Sequence, residues 1–211
     1  MVNPVGHTQK PQDELRDEAQ NPIENHGIIG DMRSAALVAD TGSIDFCCWP
    51  DFDSPSIFSA LLDTPEAGIF QLSPILPDAR RQQLYLPETN VLMTRWIAKD
   101  AVVEVTDLMP IASEVDSLPR LVRRIHVRHG NTAVRMFCRV RHDYSRADTV
   151  ARMDDQDVRF EAPGQPALRL SATTPLQIDD HAAVADFEMK QGDIVEFMLG
   201  GADDEAVHRL W

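Results

Sequence analysis

The chain is short of cysteine, of basic charge and of long apolar runs, and each shortage closes off a class of function. Only three cysteines occur, Cys47, Cys48 and Cys138. The total is odd and there is no Cys-x-x-Cys pair, which argues against a disulfide framework. Neighbours in a strand face opposite ways, so Cys47 and Cys48 would not act together. Buried thiols in a reducing, cytoplasmic setting are the expectation. Lysine and arginine total 20 against 34 acidic residues, a net charge of −14. Nucleic acid and anionic membrane are polyanions that need a basic patch, so neither is expected as a partner. The local basic pair Arg123-Arg124 reads as a solvated strand face. No apolar run approaches the roughly 20 residues needed to span a bilayer. The N-terminus, MVNPVGHTQKPQDELRDEAQ, lacks the basic-then-apolar order of a signal peptide.

Catalytic signatures are missing as well. Seven histidines are present, at 7, 26, 126, 129, 142, 181 and 208. None forms a His-x-His or His-Glu-x-x-His pattern, and His126 and His129 would face opposite sides of a strand. Asp154-Asp155-Gln156-Asp157 lacks the Gly and the distal Glu of a calcium loop and reads as a hairpin turn. No Gly-x-Ser-x-Gly elbow and no Gly-rich phosphate loop with a Lys occurs. No metal, no cofactor and no self-contained catalytic group are therefore expected.

What the chain does have is apolar material, 43% of 211 residues, laid out mostly with a period of two. Val134, Met136, Cys138 and Val140 alternate with Arg135, Phe137, Arg139 and Arg141, the mark of a strand with one buried face. Similar runs occupy 34–39, 43–49, 90–98, 101–108, 121–127, 158–161, 168–172, 183–188 and 193–199. Turn residues such as Asp40-Thr41-Gly42 and Lys99-Asp100 separate them. A dozen or more strands with one short helix, at 57–62, point to an all-β, two-sheet antiparallel sandwich. Residues 1–21 are polar and aperiodic and read as a flexible arm, 22–200 as the sandwich, and 201–211 as the start of a linker. In that last segment Val207, Leu210 and Trp211 make a helical stripe.

Between the second and third of these runs lies a loop of mixed chemistry, Trp49-Pro50-Asp51-Phe52-Asp53-Ser54-Pro55. Aromatic rings beside carboxylates suit sugars, since ring faces stack on C–H surfaces and carboxylates accept from hydroxyls. Trp49, Asp51, Phe52 and Asp53 are the candidate binding residues. A single Asp-x-Asp does not make a glycosidase, which needs two carboxyls across a pocket with one pKa raised. Asp before Ser-Pro is also ordinary turn chemistry.

Taken in order, several segments resemble the N-terminal domain of glycoside hydrolase family 15 proteins, the glucoamylase and trehalase-like group. They are Pro22-Ile23-Glu24, Ile29-Gly30-Asp31, SAALVADTGSID (34–45), CCWP (47–50) and FDSPSIFSALLD (52–63). YLPETNVL (85–92), VEVTDLMP (103–110), PRLVRRI (119–125) and HDYSR (142–146) follow. Phe46 and Asp51 depart from the pattern, standing where Trp and Arg are frequent. The resemblance implies a non-catalytic β-sandwich linked to an (α/α)6 barrel that carries two glutamates and inverts α-glucosidic bonds. Such a barrel needs roughly 350 residues, so this chain alone is expected to be inactive. The barrel of the same protein is the implied partner, with an α-glucoside as ligand. A stand-alone carbohydrate-binding module and a homo-oligomer are the other possibilities.

Overall fold

A computed structural model describes residues 21–111 and 118–204. Sixteen strands follow in chain order. They are β1 (His26–Gly30), β2 (Ala35–Ala39), β3 (Ser43–Cys48), β4 (Ser56–Phe58), β5 (Ile69–Pro74), β6 (Arg80–Tyr85), β7 (Leu92–Ile97) and β8 (Val102–Leu108). Then come β9 (Leu121–His129), β10 (Asn131–Arg139), β11 (Val150–Asp154), β12 (Asp157–Glu161), β13 (Leu168–Ala172), β14 (Gln177–Asp179), β15 (Ala182–Lys190) and β16 (Ile194–Gly201). One sheet is ordered β1-β2-β3-β5-β10-β15-β14, with β4 added on β3, and the other β11-β12-β13-β16-β9-β8-β7-β6. Both are antiparallel throughout, so the expected large sandwich is what forms. The arm at 1–20 and the helical stripe at 207–211 lie outside the described residues. Among the described residues no helix is long and apolar enough to cross a membrane.

The period of two decides what the sandwich buries. Val134, Met136 and Cys138 on β10 share one core cluster with Val103 and Val105 on β8, all fully buried. Phe70 from one sheet meets Phe197 from the other edge-on, with ring centroids 6.5 Å apart. Each such ring stabilises the core by about 1.5–3 kcal/mol through burial. The three cysteines are free and buried, and burial pushes the Cys47 thiol up to about 12. Such thiols stay protonated and inert.

Two expectations need correcting. The segment 57–62 is not one helix: Ser56–Phe58 pairs with β3, leaving only the 3-10 turn Ala60–Leu62. The Ile57 carbonyl also accepts from Arg141 N–H at 3.0 Å, so β4 is held from both sides. Arg123-Arg124 is not a solvated pair either. Arg124 is exposed, but the alternation that buries Leu121 and Ile125 also turns Arg123 inward, where it is 0% exposed. Its guanidinium donates to Asp107 Oδ1 at 2.8 Å and Oδ2 at 3.3 Å. From this sheet it reaches across the core to the carbonyls of Gly42, at 2.8 Å, and Phe70. Desolvating two charges is costly, and only a fully bonded geometry of this kind offsets it.

Because every pairing is antiparallel, the connections alternate between two ends, except that 59–68 joins β4 to β5, which both run antiparallel to β3. One end carries the segments 40–42, 75–79, 98–101, 130, 155–156, 173–176 and 191–193, none longer than five residues. The other carries 31–34, 49–55, 86–91, 109–111, 118–120, 140–149, 162–167 and the short 180–181, and the chain leaves β16 there. Among the described residues eight non-glycines have positive φ, and seven lie at this loop end: Met32, Glu88, Asp143, Tyr144, Ser145, Asp180 and His181.

Candidate functional site

The loop that carries the candidate residues sits at the loop end, clamped to the 31–34 connection. Asp31 starts the clamp: Oδ1 of its buried carboxylate accepts from the backbone N–H of Arg33 at 2.9 Å and of Ser34 at 2.8 Å. This Asx turn carries Met32 through positive φ (75°) and presents Arg33 to the neighbouring loop. Arg33 Nε and Nη2 then donate to Asp51 Oδ1 at 3.1 and 2.9 Å, and Phe52 N–H donates to the Arg33 carbonyl at 2.8 Å. Ser34 Oγ bonds the Cys48 carbonyl. Within the loop, Ser54 Oγ accepts from Asp51 N–H and Ser54 N–H donates to the Asp51 carbonyl. The Trp49-Pro50 bond is cis.

This clamping sorts the four candidates. Trp49 is 3% exposed and belongs to the core, so its ring supports the loop from beneath. Among the described residues its buried indole Nε1 has no hydrogen-bond partner, and neither has Ser56 Oγ at the loop's far end. Asp51 is committed to Arg33, which places a guanidinium where the loop itself offers none. Phe52 is 60% exposed and Asp53 is exposed beside it. The corner therefore offers an aromatic face, a carboxylate and an Arg–Asp pair, a set suited to hydroxyl-rich surfaces.

A second element joins this corner through β4. The Ser56 carbonyl accepts from Tyr144 N–H at 3.2 Å, which brings the 140–149 connection against the end of the 49–55 loop. His142 roots that connection. It is 1% exposed, with Nδ1 3.1 Å from Thr149 Oγ1 and Nε2 3.1 Å from the Pro166 carbonyl. Burial pushes its pKa down, partly offset by the bond to Pro166. The next three residues, Asp143, Tyr144 and Ser145, take φ of 55°, 53° and 64°. Each left-handed residue costs an L-amino acid about 1–2 kcal/mol, and runs of them are rare. Such strain persists only where the surroundings over-determine it. Here Arg146 Nη2 donates to Asp143 Oδ1 at 2.6 Å, while its guanidinium lies 5.5 Å from the centroid of the Tyr144 ring. Tyr144 remains 43% exposed.

A third element explains the 85–92 segment. Tyr85 Oη accepts from Ile28 N–H at 2.8 Å and donates to the Ile28 carbonyl at 2.9 Å, and Asn90 Nδ2 bonds the Gly30 carbonyl. Side chains of one sheet thus satisfy the free edge of β1 in the other. Arg33, His142 and the left-handed turn had no signal in hydropathy. The Asp31-x-x-Ser34 spacing is the one local cue that sequence alone offered, as an Asx-turn pattern.

Comparison with known proteins agrees with this architecture. The family model described as trehalase-like, N-terminal matches residues 10–209. A trehalase of Mycobacterium tuberculosis is 27% identical over 228 aligned positions, which cover 90% of this chain and 32% of that protein. A trehalase of Mycolicibacterium smegmatis is 26% identical with similar coverage, 90% and 33%. A trehalase of Thermoplasma volcanium is 39% identical over 95 residues, 44% of this chain and 15% of its own. The chain spans about a third of the length of the curated relatives that it matches along most of its length. It belongs to the trehalase-like N-terminal domain family.

Proposed function

We propose that the chain is the non-catalytic sandwich of a longer α-glucosidic hydrolase of trehalase type, packed by its loop end on an (α/α)6 barrel and bordering the sugar pocket. The observation that carries this reading is the asymmetry of the ends. The long connections, seven of the eight positive-φ non-glycine residues and the exit after β16 all gather at one end. Strain of that kind concentrates where binding requires a fixed surface. The named relatives are trehalases about three times as long as the matched part, which leaves room for the barrel.

In this reading Phe52 offers its ring to a sugar face and Asp53 accepts from a hydroxyl. Asp51 and Arg33 hold the loop, and Trp49 carries it from the core. The chemistry of bond cleavage would lie with glutamates of the barrel, the second of which activates water for inversion. Phe52→Ala and Asp53→Asn in the parent enzyme test the border. Each is expected to raise KM for an α-glucoside severalfold while leaving the melting temperature of residues 1–211 unchanged. Kinetics identical to the wild type in both variants would remove the pocket from the proposal.

A further inference from the structure

We infer that the His142–Arg146 turn is the anchor by which the sandwich grips the part of the parent polypeptide that follows residue 211. The inference rests on the reading of the chain as one part of a longer hydrolase, and adds to it a contact surface and its occupant. Three observations carry it. Asp143, Tyr144 and Ser145 hold three successive left-handed conformations without a glycine. The result is an exposed Tyr ring fixed against the Arg146 guanidinium, which is itself tied to Asp143. Tyr and Arg are among the residue types enriched at the energetic centres of protein interfaces.

The second observation is where the chain goes. His142 Nε2 lies 3.1 Å from the Pro166 carbonyl, and the carbonyl of the next residue, Ala167, accepts from Ala202 N–H at 3.0 Å. Asp204 is then fixed by Arg120, with Nε to Oδ2 2.7 Å. The polypeptide beyond Asp204 therefore starts one hydrogen-bonded connection away from the turn, where tethering gives it a high effective concentration. Third, the turn is tied to β4, the strand that follows the 49–55 loop, through the Tyr144–Ser56 bond. The short-turn end has neither the exit nor the fixed aromatic ring.

Amide hydrogen exchange of residues 1–211 alone and of the parent polypeptide tests the anchor. Exchange across 143–147 is expected to slow at least tenfold in the parent, with the 98–101 turn unchanged. Ser145→Gly, which removes one strained residue, is expected to raise the melting temperature of 1–211 yet reduce the protection in the parent. A purely structural turn would not lose protection. Tyr144→Ala should abolish the protection. Equal exchange at 143–147 in both forms, with 49–55 still protected in the parent, overturns the anchor but leaves the longer-hydrolase reading standing. Protection at neither segment, or a reading frame that stops after residue 211, overturns both. Protection of 143–147 in the isolated chain that grows with its concentration, or with added trehalose, assigns the turn to a second copy or to sugar and also overturns it.

Discussion

At the short-turn end, three of the seven connections turn through a positive-φ glycine, Gly42, Gly130 and Gly192, against Gly164 at the loop end, and among the described residues Asp155 is the one non-glycine with positive φ there. At the loop end the same backbone problem is met by Met32, Glu88, Asp143, Tyr144 and Ser145, each a side chain that glycine would have discarded. The first end is built for least strain. The second accepts strain to keep particular side chains on its surface, and holds them with buried polar groups such as Asp31 and His142. A sandwich optimised only to fold would have no reason to treat its ends so differently.

That contrast can be attacked in several ways. The largest effect is expected from the core that both ends share, at the buried Arg123–Asp107 pair. Asp107→Ala leaves a buried guanidinium without its carboxylate and should cost about 3–5 kcal/mol, seen as a fall in melting temperature of roughly 10 °C or more. Glycine substitutions then separate the ends. A Cβ at Gly130 would stand 2.0 Å from the Asp100 carbonyl oxygen, whereas at Gly164, in a loop-end connection, it meets nothing within 4 Å. Gly130→Ala should therefore cost roughly 3 kcal/mol and Gly164→Ala about 1 kcal/mol, the left-handed penalty alone. Equal losses by chemical denaturation would show that the space around the turns does not matter.

Acid tests the loop end by itself. His142 is buried with a lowered pKa, so the unfolded chain takes up the proton first. Its contribution is whole above the ordinary histidine value and is lost as pH falls through the lowered folded value. Between pH 7.5 and 5 the melting temperature should fall more in the wild type than in His142→Gln. Parallel curves would mean that His142 does not root the turn. The smallest effect belongs to the Arg33–Asp51 pair, whose side chains are 38% and 43% exposed. Arg33→Ala is expected to cost less than about 1 kcal/mol of stability. Its consequence should lie in faster exchange of the Phe52 amide.

The sandwich itself was legible because β10 alternates between core and solvent, while β8 and β16 are apolar runs bounded by turn residues. The edge strand β6, Arg80–Tyr85, was not, since Arg-Arg-Gln-Gln has no apolar face and draws its pairing from β7. β4 misled because the short apolar run at 57–62 cannot announce whether its first residues have a ladder partner. Arg123 shows the limit most sharply. Its place in the alternation was readable, but no local pattern says that Asp107, Gly42 and Phe70 will be waiting opposite. At the loop the residue types were right, yet which of Trp49, Asp51, Phe52 and Asp53 face solvent depends on Asp31 and Arg33, two strands away in sequence. Burial is decided by neighbours that composition cannot name.

The clip on β1 has a consequence in time. Ile28 and Gly30 are satisfied by Tyr85 and Asn90, which follow 57 and 60 residues later. A ribosome adding about 5–20 residues per second leaves that edge open for roughly 3–12 s after β1 emerges. During this interval the β1–β3 sheet can pair with any strand it meets, including its own copy on the next ribosome. The bonds of Tyr85 and Asn90 thus end a window of vulnerability during synthesis, and their loss should show first as aggregation of nascent chains.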